Sequence, residues 1–303
     1  MDKNFYNAAS AAKLGWEPIW FGSLEFDDRL IEKIEQFQEQ HDLKADGLCG
    51  PVTYRRIVTA RQALMESALE NYESKINDLE NGKKITCNGA GVSIAWDKVV
   101  NLTAADNLEL PSNCYRLVTK ERTPTMIVTH WDVALSANSC HRILKNKGIS
   151  SHFVIDNDGT IYQMVDTNNI GWHAGNRKVN TASIGIDFSN AYYTKYQKNY
   201  ENKGFGPRPV LSDSKVHGRT LKEHLGYYPV QVEAYKALVK CLSEHYDIPL
   251  ACPLDDDGEL LTTVHPPSKR ADWHGVVNHY HLTNGKIDCA GLPLEKILSE
   301  IRN

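Results

Sequence analysis

Hydrophobic side chains recur at helical spacing in the first part of the chain. Across FDDRLIEKIEQFQEQHDL, residues 26–43, Leu30, Ile34 and Phe37 fall on one face, and an aspartate at the start can cap the helix. The preceding stretch AASAAKLG has the pattern of a short helix ended by glycine, and the turn signals of KADGLCGP precede a third helix. These patterns predict a small all-α unit of three helices over residues 1–62.

A more polar stretch follows this unit. RQALMESALENYESKINDLEN is polar on most faces and contains neither glycine nor proline, which predicts a linker helix over residues 63–83. After it, KITCNGAGVSIAW combines β-branched residues with glycines, which is typical of strands. A second domain is therefore predicted to begin at residue 84.

The second domain alternates strand and helix patterns. TMIVTHW is an apolar run of strand length, SHFVIDNDGTIYQMV predicts a hairpin around its Asn-Asp-Gly turn, and ASIGIDFS predicts another buried strand. PVQVEAYKALVKCLSEHY has apolar residues at helical spacing. The alternation predicts an α/β domain over residues 84–303, with a tyrosine-rich loop inserted near residues 190–208.

Composition narrows the class of protein. The 303 residues are 41% hydrophobic and 24% charged with a net charge of -4, which is typical of a globular protein without a basic surface for nucleic acid. No apolar run approaches the ~18 residues of a transmembrane helix, so no membrane partner is expected. The protein is expected to be a monomer. The chain starts without a secretory signal and its seven cysteines show no paired spacing, which predicts synthesis in the cytoplasm and reduced thiols.

Three residues from separated segments have the character of zinc ligands. His130 closes the strand TMIVTH, His279 follows the β-branched pair Val276 and Val277, and Asp288 lies beyond an Asn-Gly turn that can fold the loop back. A catalytic zinc takes three protein ligands from His, Asp, Glu or Cys and keeps one position for water. The spacing therefore predicts one zinc ion per chain, held by these two histidines and the aspartate.

Two further residues have the chemistry that amide hydrolysis requires. Lys286 precedes Asp288 by two positions, so in an extended segment both side chains project to one side, where an ammonium can stabilise an oxyanion. Asp187 ends the apolar stretch SIGID and is the candidate to move a proton from water to the leaving amine. Lys286 and Asp187 are the predicted catalytic residues.

Five ordered motifs make this part of the chain similar to a known family. IVTH, SHFVIDNDGTIYQ, GWHAG, SIGID and GKIDCAG occur in the order found in zinc-dependent N-acetylmuramoyl-L-alanine amidases, over about residues 120–295. The resemblance implies a central mixed β-sheet flanked by helices. It also implies that zinc-activated water cleaves the amide between N-acetylmuramic acid and the L-alanine of the stem peptide.

The resemblance assigns the same site residues and adds two. By their positions in the motifs, His130, His279 and Asp288 resemble the zinc ligands and Lys286 resembles the oxyanion-stabilising lysine. In GWHAG, the residues that resemble substrate contacts are His173 and Trp172.

The chain departs from the family pattern at three positions. Some members have a catalytic tyrosine where this sequence has Ser151, and others end the SIGIE motif with a glutamate where this chain has Asp187. The chain is therefore similar to the carboxylate-dependent branch. The third departure is DCAG, which leaves Cys289 open as an alternative ligand, although the spacing to the lysine favours Asp288.

The first unit is also similar to a known module. Its motif resembles that of a peptidoglycan-binding helical module, in the residues Phe37, Gln38, Leu43, Asp46, Gly47, Gly50, Pro51 and Thr53. The resemblance implies that bacterial peptidoglycan is the partner of this unit. Tethering a hydrolase to an insoluble polymer raises its effective concentration there, so both parts of the chain indicate the same substrate.

These features together indicate a bacteriolytic phage endolysin, made in the host cytoplasm and acting on the wall after release. Three alternatives stay open. They are a cytosolic amidase of cell-wall recycling, a receptor that binds peptidoglycan without cutting it, and a hydrolase with Cys289 or Cys140 as its nucleophile. Cys140 and His141 are neighbours on a predicted helix, so their side chains diverge, which argues against a base-assisted pair.

Overall fold

The computed structural model describes residues 2–63 and 84–302. The chain divides into two compact units, Met1–Ser74 and Lys75–Asn303. Residues 64–83, which make up nearly all of the predicted linker helix, lie outside the described residues.

The first unit is all-α in its described residues. Helix α1 spans Lys3–Leu14, α2 spans Asp28–Gln40, and α3 begins at residue 51 and continues to residue 63. A 3-10 turn, Pro18–Phe21, lies between the first two helices. The predicted three-helix arrangement is confirmed.

Local sequence explains where these helices begin and end. The Asp2 carboxylate accepts hydrogen bonds from N–H groups in the first turn of α1, and Asp27 accepts one from the Leu30 N–H at the start of α2. Helix α1 ends at Gly15, whose φ of 77° is left-handed. The apolar faces meet in one core that contains Ala11, Trp16, Phe21, Leu30, Ile34, Cys49 and Ile57, with Phe37 packed against it.

Gln38 holds the loop that follows α2. Its buried amide donates to Asp46 Oδ1 at 3.1 Å and to Thr53 Oγ1 at 3.0 Å. Its Oε1 accepts from the N–H groups of Asp46 and Gly47. Gly47 has a φ of 69°, and a Cβ there would lie 2.5 Å from Ile31 Cγ2. These motif residues therefore maintain the shape of the turn through contacts inside the unit.

Replacing Gln38 with alanine is expected to destabilise the first unit by at least about 2 kcal/mol, because buried loop N–H groups lose their acceptor. Gln40→Ala on the same helix is the control, since Gln40 is exposed, and it should change the unfolding free energy by less than about 0.5 kcal/mol. Calorimetric unfolding of the full chain measures both variants. Equal stabilities would contradict the role given to Gln38.

The second unit alternates strands and helices. Its helices are α4 (Ala137–Lys147), α5 (Arg177–Ala182), α6 (Gln197–Asn202), α7 (Pro229–Tyr246), α8 (Pro266–Arg270) and α9 (Leu294–Arg302). Its strands are β1 (Lys84–Cys87), β2 (Ala90–Ser93), β3 (Val99–Val100), β4 (Tyr115–Arg116), β5 (Met126–Trp131), β6 (Phe153–Ile155), β7 (Ile161–Gln163), β8 (Ile170–Gly171), β9 (Ser183–Phe188), β10 (Val210–Leu211), β11 (Lys215–Val216), β12 (Arg219–Thr220), β13 (His224–Leu225) and β14 (Gly275–Asn278). Within the described parts of the chain, no helix has the length and apolar character needed to cross a membrane.

Six of the strands form one mixed sheet in the order β14–β5–β9–β6–β7–β3. Strand β5 is parallel to both of its neighbours, β14 and β9, while β6 is parallel to β9 and antiparallel to β7. This is the central mixed sheet of the predicted α/β fold class, which is confirmed. Because parallel strands end at the same edge, residues that close β5, β9 and β14 come together there.

Alternate residues of the central strands face two different cores. On one face, Ile127 and its neighbours pack against α7 and α9. On the other face, Met126 and Val128 pack against α5. Strand periodicity places His130 and Asp187 on this second face, beyond the apolar residues that fix the strand positions.

The tyrosine-rich segment is more regular than the loop that the sequence predicts, because it contains α6 and a 3-10 turn, Thr194–Tyr196. Buried Arg208 fastens the segment to the domain. Its guanidinium donates to Asn157 Oδ1 at 2.7 Å, to Gln231 Oε1 at 2.6 Å and to the Ser189 carbonyl at 3.1 Å. A six-residue helix has too few turns for a periodic sequence signal, so tertiary contacts decide its formation.

Candidate active site

Two strand ends and one loop bring His130, His279 and Asp288 together. His130 lies near the end of β5, and His279 directly follows β14, the parallel neighbour of β5, so both imidazoles reach the same sheet edge. The loop after β14 returns to this edge, where the Tyr280 N–H donates to the Asp288 carbonyl at 3.0 Å. All three side chains are buried, and one ligand atom from each lies within 4.8 Å of the others.

The three side chains present atoms that suit zinc. His279 Nδ1 lies 3.0 Å from His130 Nδ1 and 2.9 Å from Asp288 Oδ2, and the remaining distance, His130 Nδ1 to Asp288 Oδ2, is 3.3 Å. Burial lowers the pKa of His130 to about 4, so its ring is neutral near pH 7. Burial would raise the pKa of Asp288, but hydrogen bonds with the two histidines hold it below its usual range. A neutral imidazole and an ionised carboxylate are the metal-binding forms, so the donor set fits zinc.

His173 orients the ring of His130. His130 Nε2 lies 3.0 Å from His173 Nδ1, and His173 Nε2 lies 3.3 Å from Ser183 Oγ. The Ser183 hydroxyl donates to the Val179 carbonyl at 2.6 Å, so its oxygen accepts from His173 Nε2–H, and His173 Nδ1 accepts from His130 Nε2–H. The lone pair of His130 Nδ1 then faces His279 and Asp288, which is the tautomer that a metal ligand requires.

Gly185 makes room for the His173 ring on the sheet surface. A Cβ at this position would lie 2.7 Å from His173 Cγ and 2.8 Å from Ser151 Oγ. Neither Ser183 nor Gly185 has a functional role that could be predicted from the motifs. A glycine inside a buried strand was the available signal, because it often marks the close approach of another group.

Replacing Gly185 with alanine is expected to displace His173 and to destabilise the second unit by about 1–3 kcal/mol, because the added methyl group overfills a packed position. Amidase activity should fall with it, since His130 loses its orienting partner. Gly285→Ala is the control, because the nearest atom to its Cβ would be 3.8 Å away. Denaturant unfolding and an amidase assay measure the two effects, and an unchanged Gly185→Ala protein would contradict them.

Asp187 lies beside His130 in the register of the parallel pair β5 and β9. Burial, together with the neighbouring carboxyl of Asp132, raises the pKa of Asp187 well above its usual range, and the Ser151 hydroxyl acts in the opposite direction. A buried carboxyl with a raised pKa can both accept and return a proton. The predicted proton-transfer residue is thus adjacent to a predicted ligand.

A cleft of about 540 Å³ opens over this edge and is lined by Trp172, His173, His279 and Lys286, among others. Trp172 is 39% exposed and also borders an adjoining cleft of about 440 Å³. Lys286 is exposed while Asp288 is buried, and the lysine charge opposes part of the rise in the pKa of Asp187. The predicted substrate-contacting residues and the predicted oxyanion-stabilising residue therefore border one cleft.

Burial of the cysteines argues against thiol chemistry at the site. All seven are free and buried. Cys289 belongs to the core beneath α7, and burial raises the pKa of its thiol well above the usual range. The same cause raises the pKa of Cys140. Protonated thiols are poor nucleophiles, and the side chain that lies with the two histidines is that of Asp288, which favours Asp288 over Cys289 as a metal ligand.

The fold and this edge define a hydrolase domain of the α/β class. The family model of N-acetylmuramoyl-L-alanine amidases matches residues 120–288, more than half of the chain. The protein therefore belongs to the N-acetylmuramoyl-L-alanine amidase family and is an enzyme of peptidoglycan hydrolysis. The family is generally zinc-dependent, in agreement with the His-His-Asp cluster.

Several solved structures resemble this chain. They include the N-acetylmuramoyl-L-alanine amidase LysC from Clostridium intestinale URNW, at 20% identity over 68% of this chain and 97% of that one, with a TM-score of 0.38. A mutant endolysin from Bacillus subtilis has 21% identity over 64% and 96%, with a TM-score of 0.37. AmpDh3 from Pseudomonas aeruginosa, in complex with anhydromuramic pentapeptide, has 21% identity over 64% and 66%, with a TM-score of 0.38. Among curated proteins, none matches this chain.

Proposed function

We propose that the protein is a zinc-dependent amidase that cleaves the bond between N-acetylmuramic acid and the L-alanine of the stem peptide in intact cell wall. The observation that carries this proposal is the convergence of His130, His279 and Asp288 beside Asp187 at one sheet edge. The first three residues would hold one zinc ion. A bound zinc ion supplies activation of the attacking water and polarisation of the scissile carbonyl.

The other residues of the edge have roles that follow from their chemistry. Asp187 accepts a proton from the attacking water and delivers it to the nitrogen of L-alanine as the C–N bond breaks. The Lys286 ammonium stabilises the negative charge that develops on the carbonyl oxygen. His173 keeps His130 in its ligand tautomer, and Trp172 offers an apolar surface to the substrate along the cleft.

Mass spectrometry of digested peptidoglycan tests the bond and the metal together. Stem peptides that begin with L-alanine should be released, and only in samples without a chelator. Alkylation of thiols should leave the reaction unchanged. Glycan fragments that keep their stem peptides would identify a glycosidase instead. Binding to the wall without cleavage, in protein without zinc, would support the receptor alternative.

We further propose that the first unit, over residues 1–62, binds peptidoglycan and tethers the catalytic domain to it. A groove of about 310 Å³ on this unit is lined by Tyr6, Leu43, Lys44 and Pro51, among others. Gln38, Asp46 and Thr53 border the same groove and also hold its loop, so the motif residues support a binding surface of defined shape.

Deletion of residues 1–62 tests the tether. Activity on purified cell walls should fall about ten-fold or more, because local concentration is lost, while activity on a soluble muropeptide should not change. Equal activity of both forms on walls would contradict tethering. Equal losses on both substrates would indicate instead that the deletion damages the catalytic domain.

The combination of an amidase domain with a wall-binding unit supports the role of an endolysin in host lysis. An enzyme of this role should lyse bacterial cells once their membranes are permeabilised, and it should prefer intact wall to soluble fragments. A recycling amidase would show the opposite preference. Rates on purified walls and on a soluble muropeptide at matched bond concentration separate these two functions.

A further inference from the structure

A second cleft, of about 670 Å³, borders the loop that carries the candidate ligand Asp288. Its walls come from the tyrosine-rich segment and from residues 219–223, and it is reached by Ile287. Ile287 lies between Lys286, which lines the first cleft, and Asp288, which lies in the cluster. Consecutive residues of one loop therefore contact two clefts and the candidate metal position.

A row of aromatic rings leads from the sheet edge into this second cleft. Trp131 directly follows His130 on β5, and its ring lies 5.1 Å from that of Tyr192. Tyr192 stacks on His224 and contacts Tyr193 edge-on at 5.0 Å. Tyr193 lines the cleft with 51% of its surface exposed, its ring contacts that of Tyr196 at 6.4 Å, and Lys195 Nζ lies 5.3 Å from its centroid. The row thus presents an exposed ring to the cleft that Ile287 also lines.

The walls of the second cleft are held in place from both sides. Tyr192 has a φ of 65°, which is costly for an aromatic residue, and its backbone N–H donates to Asn190 Oδ1 while its carbonyl accepts from Leu225. On the opposite wall, His217 Nε2 donates to the Lys286 carbonyl at 3.0 Å, which joins the β11–β12 turn to the ligand loop. A surface fixed in this way binds at a lower entropic cost.

We propose that the second cleft is a saccharide subsite. It binds sugars of the glycan strand that adjoin the reacting N-acetylmuramic acid. This proposal rests on the amidase function proposed above. The flat face of a pyranose ring carries C–H groups that pack on an exposed aromatic ring such as Tyr193. Hydroxyl and acetamido groups find partners in Thr194, Thr220 and Glu223 at the rim of the cleft.

The clefts differ in their aromatic residues and in whether an acidic residue lines them. The two arms of the substrate leave the scissile amide in different directions, so a cleft on each side of the ligand loop can hold one arm. The first cleft and its neighbour carry Lys269, Lys286, Arg116 and Arg177, and none of their lining residues in the described chain is acidic. That surface suits the carboxylates of the stem peptide. The second cleft carries Lys195, Arg219 and Lys222 beside Glu223, so its two tyrosines, and not its charge, suit the uncharged sugars.

The test compares two soluble substrates that carry the same dipeptide, one with a single N-acetylmuramic acid and one with a tetrasaccharide. The wild-type KM should be about ten-fold lower for the tetrasaccharide. Tyr193→Ala should raise that KM about five- to ten-fold, while kcat and the KM of the single-sugar substrate stay within about two-fold. Phe205→Ala is the matched control, since Phe205 is an exposed ring of the same segment outside the cleft, and it should retain the wild-type ratio.

Calorimetry with the stem-free tetrasaccharide separates this subsite from the catalytic proposal. Full-length wild-type protein should bind the sugar more tightly than Tyr193→Ala, whether or not either substrate is cleaved. A wild-type protein that cleaves neither substrate would contradict the proposed function alone. An unchanged KM ratio with unchanged calorimetric binding would overturn the subsite. If the effect of Tyr193→Ala on KM depends instead on the length of the stem peptide, the cleft binds the peptide, and the subsite proposal is overturned as well.

Discussion

Replacing Asp288 with asparagine is expected to remove zinc from the protein and to lower amidase activity at least about a hundred-fold. The side chain keeps its size but loses the negative charge that compensates the ion. Its Oδ2 lies 2.9 Å from His279 Nδ1, and among the described residues it is the one carboxylate of the cluster. Metal content after dialysis and the release of stem peptides measure the two effects separately.

Cys289→Ala is the matched control for this prediction, because Cys289 is the neighbouring residue that the sequence left open as a ligand. Its thiol lies in the core, so the variant should keep about one zinc per chain and most of its activity. Zinc retained in Asp288→Asn but lost in Cys289→Ala would reverse the assignment. Zinc retained in both variants would mean that neither side chain is required to hold the ion.

Replacing Asp187 with asparagine should lower the rate about 10²- to 10⁴-fold, which is the contribution of a positioned proton carrier. Zinc content should remain at about one per chain, because Asp187 stands outside the ligand cluster. The stability of the folded protein should be unchanged or higher. Burial raises the pKa of Asp187 in the folded state, so this carboxyl costs stability as the pH rises above its ordinary, unfolded-state pKa, and the neutral amide avoids that cost.

The rate, the zinc content and the unfolding temperature of Asp187→Asn should be measured together above pH 7. The exposed Asp213→Asn change controls for the loss of one negative charge and should affect none of the three. Full activity of Asp187→Asn would exclude Asp187 as the proton carrier. Loss of zinc would instead indicate that Asp187 supports the ligands.

Elements with strong local signals could be predicted closely from the sequence. The periodic stretch starting at Pro229 forms α7 over Pro229–Tyr246, and the capped stretch before Gln40 forms α2. Apolar runs between turn signals became β5 and β9 for the same reason. The order of β14, β5 and β9 in the sheet has no such local signal, because strand pairing joins residues that are far apart in sequence.

The candidate site shows the same division. Histidines at strand ends and an aspartate after an Asn-Gly turn can be identified by chemistry and motif order. The contacts that hold these side chains in place cannot be identified in this way. The chain from His130 through His173 to Ser183, and the space that Gly185 leaves, exist only once β5 and β9 are adjacent.

The sequence by itself determined the three-helix first unit, the α/β class of the second, the amidase motifs and the residue types that can bind zinc. Each of these depends on local periodicity or on side-chain chemistry, which are properties of short segments. Only the tertiary structure decided that Cys289 faces the core while Asp288 faces the histidines, and that Tyr193 joins an aromatic row and lines a cleft. Burial, pKa and cleft shape arise from packing between distant segments, so no single segment encodes them.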